Sequence, residues 1–361
     1  MVNIQGLLFA AAAEASDYSN DYNGEDAGPH IVYGIVAPLI LSCITLIGIG
    51  GNALVIYIII ANNDMRSVTN FYIANLAVDD IAFLVTCAAT TAVSITTEDW
   101  KLGHFLCKFI GYMQFVTIQA TCCFLTAMTI DRYHLIVHAV NARNTRTIRR
   151  AILISLGIWA VSFMIHIPVA INTNVIHDEN STTCYRDFGN SDRDKIFTIF
   201  SFMSMYAIPL LIISICYVKI LMQVWKRTSM GTESAQAQLR ASQRKRKITK
   251  MVLIVVILFA LSWLPLHCII LGLSFFPTAS VWDTHTFQYV YITFLCLAYA
   301  NSSMNPFVYA FTTTSFKKHF DNIFRGVCFS RTTREKESPV MITETRFSKL
   351  AMSTDGNSCL N

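Results

Sequence analysis

The segment from Phe109 to Ile130 contains no charged residue and ends at the triplet Asp131-Arg132-Tyr133. A helix needs about 20 apolar residues to cross a lipid bilayer, and this segment is long enough. A membrane helix that places a carboxylate beside a guanidinium usually does so for a functional reason, because both charges are costly there. The segment therefore predicts a transmembrane helix with a functional site at its end.

Similar uncharged segments recur along the chain, which is 53% hydrophobic and only 14% charged and has a mean hydropathy of +0.46. Such a composition cannot cover a soluble protein with a polar surface. The second segment is interrupted only by Asp79 and Asp80. Seven spans are predicted: His30–Asn63, Ser67–Thr97, Phe109–Ile130, Ala151–His177, Ile196–Val218, Met251–Trp282 and Thr284–Phe316. The predicted fold class is an all-α membrane protein, a seven-transmembrane helix bundle.

Lysine and arginine predict the orientation, because short cytoplasmic loops carry the excess of both. Residues 1–31 contain neither, whereas the loops after the third and fifth spans and the C-terminal tail are basic. We therefore expect a multi-pass protein of the plasma membrane with an extracellular N-terminus and a cytoplasmic C-terminus. The predicted organisation is a disordered segment 1–30, a membrane domain 31–312, an amphipathic membrane-surface helix 313–326 and a tail 327–361. Residues 228–242 are also expected to be disordered.

Three positions are candidates for covalent modification. Cys107 and Cys184 both fall on the predicted outer side, where thiols are oxidised, so we expect a disulfide between them; two unpaired thiols are the alternative. Asn180 lies in a glycosylation sequon in an outer loop. Cys328 follows the amphipathic helix and is a candidate for palmitoylation, although an unmodified thiol fits the sequence as well.

Several polar residues lie at similar depth inside the predicted spans, where they are costly. We predict that they form a hydrated cluster for an allosteric sodium ion, with an ion-free hydrogen-bonded network as the alternative; no other cofactor or metal is expected. The members of this cluster are Asn52, Asp80, Thr121, Asn301 and Asn305. Asp79 cannot face the same cavity as Asp80, because adjacent helical residues point about 100° apart. We expect Asp79 to be protonated or paired with a polar group on another helix.

Short motifs in six spans resemble those of rhodopsin-like G-protein-coupled receptors. They are Gly51-Asn52, Leu76-Ala77-Val78-Asp79-Asp80, Asp131-Arg132-Tyr133, Trp159, Phe259 to Pro265 and Asn305 to Tyr309. The chain is most similar to kisspeptin receptors through the segments Thr69 to Ala77 and Cys107 to Phe109, followed by Gln119 to Cys122 and Leu125 to Met128. Galanin and allatostatin-A receptors resemble it as well. The resemblance covers residues 31–325.

The resemblance implies a switch at the inner side. Arg132 is held by Asp131 at rest and released to a heterotrimeric G protein when the sixth helix moves outward. The switch residues that it implies are Asp131, Arg132, Tyr133, Tyr217, Phe259, Trp263, Pro265, Asn305, Pro306 and Tyr309. Lys245 departs from the family pattern, because many relatives have an acidic residue there. We therefore expect measurable basal signalling. Arrestin and receptor kinases are expected to bind the Ser- and Thr-containing tail.

The outer half indicates a peptide ligand. Gln114 replaces the aspartate with which aminergic relatives bind an ammonium group, and the seventh span has no lysine for retinal. An acidic rim favours a cationic peptide. The resemblance to kisspeptin receptors implies a C-terminal Arg-Phe-amide, with the amide at Gln114 and the arginine near Glu98, Asp99 or Asp187. The predicted ligand-binding residues are Gln114, Gln119, Asp187, His267, Ile270, Tyr291 and Leu295. The alternatives are solvated loop charges for the acids and an interhelical hydrogen bond for Gln114.

Other functional classes have less support. The sequence contains no Gly-rich phosphate loop, no HExxH and no metal-spaced cluster of histidine and cysteine, so neither enzyme activity nor nucleic-acid binding is expected. A transporter or proton pump that uses Asp79 and Asp80 remains an alternative, although the other spans supply almost no further ionisable residues. A decoy receptor that binds without signalling is a third possibility, against which the intact switch motifs argue.

Overall fold

The computed structural model describes residues 35–97, 100–140, 142, 146–177, 182–227, 235–276 and 285–323. The chain divides into two units, Met1–His319 and Phe320–Asn361. Of the second unit, the described part is the end of a helix. In the described ranges the first unit consists of long helices and one two-stranded sheet. Predictions for the N-terminal segment, Asn180, Cys328 and the tail lie outside these ranges.

The helices are named in chain order. Helix α1 is Ala37–Ala61; α2 is Val68–Phe83, a π-helical turn Leu84–Ala88 and Ala89–Thr97; α3 is Gly103–Val137; α4 is Ile148–Ile165 with a short continuation Ile167–Asn172; α5 is Ser191–Phe202, a π-helical turn Met203–Ala207 and Ile208–Arg227; α6 is Ala235–Phe275; α7 is His285–Thr312. Helix α8 covers residues 314–323. Each of the seven predicted spans therefore corresponds to one helix.

Helices α1 to α6 are long and apolar enough to cross a membrane. Helix α7 is 28 residues long but contains a row of polar side chains, Asn301, Ser302, Ser303 and Asn305, all of which are buried. Large apolar side chains instead cover the outside of the bundle, as Leu153, which is 69% exposed, illustrates. A bundle that is polar inside and apolar outside suits a lipid environment, and the predicted seven-helix class is confirmed.

Small residues let α1 pack closely against α2 and α7. A Cβ atom on Gly48 would lie 2.4 Å from Leu84 Cδ1 and 2.4 Å from Ser303 Oγ, and one on Gly51 would lie 3.0 Å from the Pro306 ring. The Ser303 hydroxyl donates a hydrogen bond of 2.8 Å to the carbonyl of Ile44. Any larger residue at position 48 would therefore force side chains of two other helices to move away from α1.

Two π-helical turns were not predicted from the sequence. In α5 the turn Met203–Ala207 comes just before Pro209, whose missing N–H and ring prevent a regular hydrogen bond to the preceding turn. In α2 the turn Leu84–Ala88 contains no proline. There the Thr86 hydroxyl donates to the carbonyl of Ala82 at 2.6 Å, and such back-bonding often bends a helix.

A β-hairpin joins α4 to α5, although the fourth span was predicted to continue to His177. Strand β1, Thr173–His177, pairs antiparallel with β2, Thr182–Arg186. The helix ends at Asn172 because the next residues include Thr173, Val175 and Ile176, whose branched side chains favour a strand. In this register Thr173 faces Arg186 and Val175 faces Cys184.

Helix α6 begins earlier than predicted. The expected disorder is wrong for residues 235–242, which form the start of this helix. The stretch contains three alanines, two glutamines, a leucine and an arginine, which all have high helix propensity. Helix α8 occupies the middle of the predicted surface helix 313–326.

Candidate ligand pocket and arginine switch

The hairpin is fixed over one end of the bundle by a disulfide and a buried cluster. Cys184 in β2 is bonded to Cys107 in the second turn of α3, as predicted. Around this bond, Trp100, Cys107, Ile110 and Cys184 form a buried cluster. The Trp100 backbone N–H donates to the carbonyl of Thr182 at 2.7 Å. The hairpin therefore has a defined position above α3.

A cavity of about 80 Å³ lies beneath the hairpin, and we call it the hairpin chamber. A cavity needs roughly 10–15 Å³ of such volume to hold one water molecule, so this one has room for an end group rather than for a whole peptide. Its lining residues come from α3, β2, α5, α6 and α7: Gln114, Phe115, Ile118, Arg186, Phe197, Thr198, Ser201, Phe202, Met205, Trp263, Leu266, His267, Ile270, Leu271, Leu273, Ser274 and Tyr291.

Four of the seven predicted ligand-binding residues line this chamber: Gln114, His267, Ile270 and Tyr291. Gln119 lies deeper on α3, where its amide donates to the Ser204 carbonyl at 3.3 Å. Leu295 is buried in α7. The carboxylate of Asp187 is exposed and accepts a hydrogen bond of 2.6 Å from the Gly189 N–H. These last three residues do not line the chamber, and Glu98 and Asp99 lie outside the described ranges.

Several lining residues were not predicted from the sequence, and Arg186 is the charged one among them. Its guanidinium carbon lies 4.9 Å from the ring centroid of Phe115, 4.8 Å from that of Phe197 and 5.8 Å from that of Phe188. We call these three rings the phenyl cage. The position of Arg186 could have been inferred from the disulfide, because a residue two places after Cys184 must lie close to the end of α3 that carries Cys107.

The phenyl cage stabilises the positive charge of Arg186 but provides no hydrogen-bond acceptor. Burial lowers the pKa of the guanidinium to about 10, and the negative charge of Asp194 partly opposes that effect. Arg186 therefore remains a cation at neutral pH. In the described ranges no carboxylate lies within ion-pair distance of it, and its Nε is buried without a hydrogen-bond partner.

Aromatic contacts lead from the chamber into the bundle. The ring centroids of His267 and Trp263 are 6.2 Å apart, and those of Trp263 and Phe259 are also 6.2 Å apart. The Tyr206 hydroxyl donates to the carbonyl of Ala260 at 2.7 Å. This bond joins α5 to α6 about one turn before Pro265, where the proline interrupts the helical hydrogen bonds. The predicted residues Phe259 and Trp263 are thus on one continuous path, and Pro265 lies two residues after Trp263 on the same helix.

The polar residues inside the bundle form two groups rather than one. In the first group, the Asn305 amide donates to the Asp80 carboxylate at 2.8 Å, and the Asn52 amide donates to the Ser302 carbonyl at 2.9 Å. In the second, the Thr121 hydroxyl donates to the Asp79 carboxylate at 2.6 Å. Asp79 thus has the partner on another helix that we expected, but that partner is a residue predicted for the sodium cluster.

The first group has the chemistry that a sodium ion requires. Asn52, Asp80 and Asn305 each keep one buried side-chain oxygen without a hydrogen-bond partner, and oxygen atoms are the ligands of hard cations. Asn301 is buried nearby in sequence, with an unpartnered amide nitrogen. These residues fit a cation site, whereas the hydroxyl of Thr121 is directed to Asp79.

At the opposite end of the bundle, one carboxylate binds two arginines. Arg132 Nη2 donates to Asp131 Oδ2 at 2.6 Å, while Arg146 Nε donates to Asp131 Oδ1 at 2.6 Å. Arg146 Nη2 also donates to the hydroxyl of Thr69 at 2.7 Å. We call these four residues the Asp131 clamp. Arg132 is only 1% exposed, so the clamp keeps its charge away from solvent.

Three tyrosines belong to the predicted switch. The Tyr217 hydroxyl donates to the Thr249 carbonyl of α6 at 3.3 Å, and the buried Tyr309 ring lies 5.7 Å from that of Phe316. The Tyr133 hydroxyl is 3.1 Å from His138 Nε2. In this arrangement Arg132 is bound by Asp131, as the sequence resemblance implies for the resting state. The structure describes the backbone of Lys245 but not its side chain, so its predicted effect on Arg132 stays a prediction.

Comparison with known proteins finds membrane receptors that are similar over most of the chain. Residues 51–309 match the model of the seven-transmembrane receptors of the rhodopsin family. A G-protein coupled receptor 54 of Oreochromis niloticus is 34% identical over 90% of this chain and 86% of its own length. The human KiSS-1 receptor is 35% identical over 86% of this chain and 78% of its own. Galanin receptor type 1 of Rattus norvegicus is 35% identical over 84% and 88%.

Proposed function

The chain belongs to the rhodopsin family of seven-transmembrane receptors, and on this premise we propose that it binds an extracellular neuropeptide and activates heterotrimeric G proteins. The observation that carries this proposal is the pairing of two sites in one bundle. The hairpin chamber at one end has room for a ligand group. The Asp131 clamp at the other end holds Arg132 buried. A peptide that favours a rearranged α6 shifts the population toward the state in which Arg132 is released.

The ligand is a kisspeptin-like peptide with an amidated C-terminus. The similarity to proteins named KiSS-1 receptor and G-protein coupled receptor 54 supports this choice. Gln114, His267, Ile270 and Tyr291 contact the end of the peptide, since they line the chamber. Asp187, Gln119 and Leu295 act at a distance from the chamber: Asp187 at the rim, and the other two behind the wall. A galanin-type ligand is the second candidate, because a galanin receptor is as similar.

The predicted orientation completes the proposal. The hairpin end faces the outside of the plasma membrane and the Asp131 clamp faces the cytoplasm, because the basic loops follow α3 and α5. Asn180 carries a glycan and Cys328 a palmitoyl group. A sodium ion held by Asn52, Asp80, Asn301 and Asn305 adds a positive charge that favours the resting arrangement. Receptor kinases and arrestin act on the tail.

A peptide panel on cells that express the full chain tests this function. The panel contains kisspeptin-like and galanin-like peptides, each as the amide and as the free acid, and the readouts are calcium and cAMP. We expect a response to an amidated peptide and its loss in Gln114→Ala at unchanged surface expression. Asn174→Ala is the matched control, because this exposed carboxamide on β1 does not line the chamber. An equal loss of the peptide response in both variants would mean that the hairpin chamber is not the ligand site.

A further inference from the structure

The hairpin chamber holds a positive charge that the acidic rim of the sequence did not suggest. Among its described lining residues, Arg186 is the one with a side chain that is charged at neutral pH, apart from any protonation of His267. The hairpin holds Arg186 in place from both sides: Cys184 is bonded to Cys107, and the Asp187 N–H donates to the carbonyl of Asn172 at 2.9 Å. The guanidinium is therefore positioned before any ligand arrives.

The surroundings of Arg186 leave its hydrogen-bonding capacity unused. A guanidinium has five N–H donors, and a phenyl cage offers π-faces that attract the charge without accepting conventional hydrogen bonds. Its Nε has no partner. Asp194, on the first turn of α5, also has a buried carboxylate oxygen without a partner, but the two groups are not within 4.0 Å of each other. A buried donor without a partner has much to gain from an acceptor that a ligand brings.

We propose that Arg186 selects the ligand by charge: it binds an acceptor oxygen on the group that enters the hairpin chamber, and it excludes basic groups from that space. This inference rests on the proposed function for the identity of the chamber as the ligand pocket. The carbonyl oxygen of an amidated C-terminus can accept this hydrogen bond. A carboxylate accepts a stronger one because both partners are then charged, so a small anion is the most sensitive probe of Arg186, whereas the amide preference of the proposed peptide comes from other contacts such as Gln114. The basic residues of a cationic peptide consequently stay at the rim.

Three small probes with one phenyl ring test the proposal on the purified full chain in lipid nanodiscs. They are N-acetyl-phenylalanine, an anion; N-acetyl-phenylalanine amide, which is neutral; and phenylalanine amide, a cation. We expect affinity to fall in that order, with the anion on the order of tenfold tighter than the neutral probe, as a charge-assisted hydrogen bond provides. Saturation-transfer NMR titration measures each dissociation constant without any G protein. Equal affinities in the wild-type protein would overturn the proposal.

Substitutions at Arg186 test whether this residue causes the order of the three probe affinities. In Arg186→Gln we expect the anion and the neutral probe to bind within about twofold of each other, and Arg186→Lys should keep part of the preference because it keeps the charge. Arg193→Gln is the matched control: it removes the same charge from an exposed position on the first turn of α5, outside the chamber. A wild-type order of affinities in Arg186→Gln would contradict the proposal.

Asp194→Asn separates ligand selection from a structural ion pair. If Arg186 selects the ligand, removal of the Asp194 charge removes a competitor, and the preference for the anion should increase. If Arg186 serves only to balance Asp194, the two variants should lower the melting temperature equally and leave the order of the probes unchanged. This variant keeps Arg186 in place, so it remains informative where Arg186→Gln fails to fold.

The probe titration and the signalling assay fail independently. A charge order that depends on Arg186, in a protein that no peptide couples to a G protein, would retain the site and refute the receptor function. A peptide response without any charge order would retain the receptor and refute the role of Arg186.

Discussion

The two ends of the bundle each hold an arginine in a fixed environment, and the two environments are opposite in kind. Arg186 at the hairpin end lies among three phenyl rings with no carboxylate within ion-pair distance in the described ranges. Arg132 at the other end is bound by Asp131 at 2.6 Å. An unpaired cation can gain a partner from a ligand, whereas a paired one must lose its partner to act. The first arrangement suits recognition, and the second suits a switch.

The largest effect is expected where the hairpin end loses its covalent anchor. Cys184→Ser opens the bond to Cys107, which spans 77 residues of sequence. We expect a loss of about 2–4 kcal/mol in the free energy of unfolding, as for disulfides that close loops of this order. Arg186 also loses its fixed position, so the charge order of the phenyl probes should disappear. Thermal melting and probe titration on purified protein measure both. If the order of the probes survived, the disulfide would not be what positions Arg186.

A smaller effect is expected when the clamp loses its carboxylate. Asp131→Asn leaves Arg132, which is 1% exposed, with a neutral acceptor. A hydrogen bond to a neutral acceptor favours the resting state less than the ion pair does. Basal nucleotide exchange should therefore rise by a factor of about 3 to 10, or about 0.7–1.4 kcal/mol. Reconstituted protein without peptide gives this rate. An unchanged rate at equal receptor concentration would mean that Asp131 does not restrain Arg132.

The next largest effect is expected at Arg146, where substitution should lower basal nucleotide exchange rather than raise it. When Arg132 leaves Asp131, Arg146 still neutralises the carboxylate, so it lowers the cost of release. Arg146→Gln should therefore reduce basal exchange, roughly twofold, as is typical of a partly exposed charge. Arg149→Gln, which changes an exposed arginine nearby on α4, is the matched control.

A double mutant isolates the contribution of Arg146. In the Asp131→Asn background, Arg146→Gln should have no further effect, because the charge that it neutralises is already gone. A rise in basal exchange in the single Arg146→Gln variant would identify Arg146 as a restraint rather than an aid to release.

The smallest effect is expected at an exposed pair near the clamp. The hydrogen bond of 3.2 Å from His319 lowers the pKa of Asp64, whose side chain is 63% exposed. A lowered pKa contributes stability above the ordinary value of 3.8, and this contribution is lost as pH falls through the lowered value. Because solvent screens the pair, Asp64→Asn should change the melting temperature by less than about 1 °C between pH 7 and pH 2, a range that includes the loss of this contribution. A larger change would mean that solvent exposure does not weaken this pair relative to the buried Asp131 clamp.

The helices and the disulfide were predictable because their determinants are local. A long uncharged segment must be a helix in lipid, and two cysteines on one side of the membrane can pair. The boundaries were less predictable. The branched residues after Asn172 favour a strand, but the strand also needs its partner Thr182–Arg186, which the sequence did not reveal. The turn Leu84–Ala88 depends on a hydroxyl group that bonds to the backbone.

The site was predictable in part. Gln114, His267 and Tyr291 line the chamber, and they were predicted through the resemblance to receptors whose ligand site lies in the outer half of the bundle. Arg186 is on a loop, and its position depends on the disulfide rather than on a helical period. Nothing in the sequence indicates that Arg146 reaches Asp131, since an exposed basic loop contains several equivalent arginines.

Peptide-dependent nucleotide exchange tests the central claim most directly. The purified full chain is reconstituted in nanodiscs with Gα and Gβγ subunits of the Gq and Gi classes, and GDP release is followed with and without each amidated peptide of the panel. The account predicts that at least one peptide accelerates release from at least one Gα, and that Gln114→Ala weakens the acceleration while Asn174→Ala does not. No acceleration by any peptide on any Gα, from protein that melts cooperatively, would contradict it.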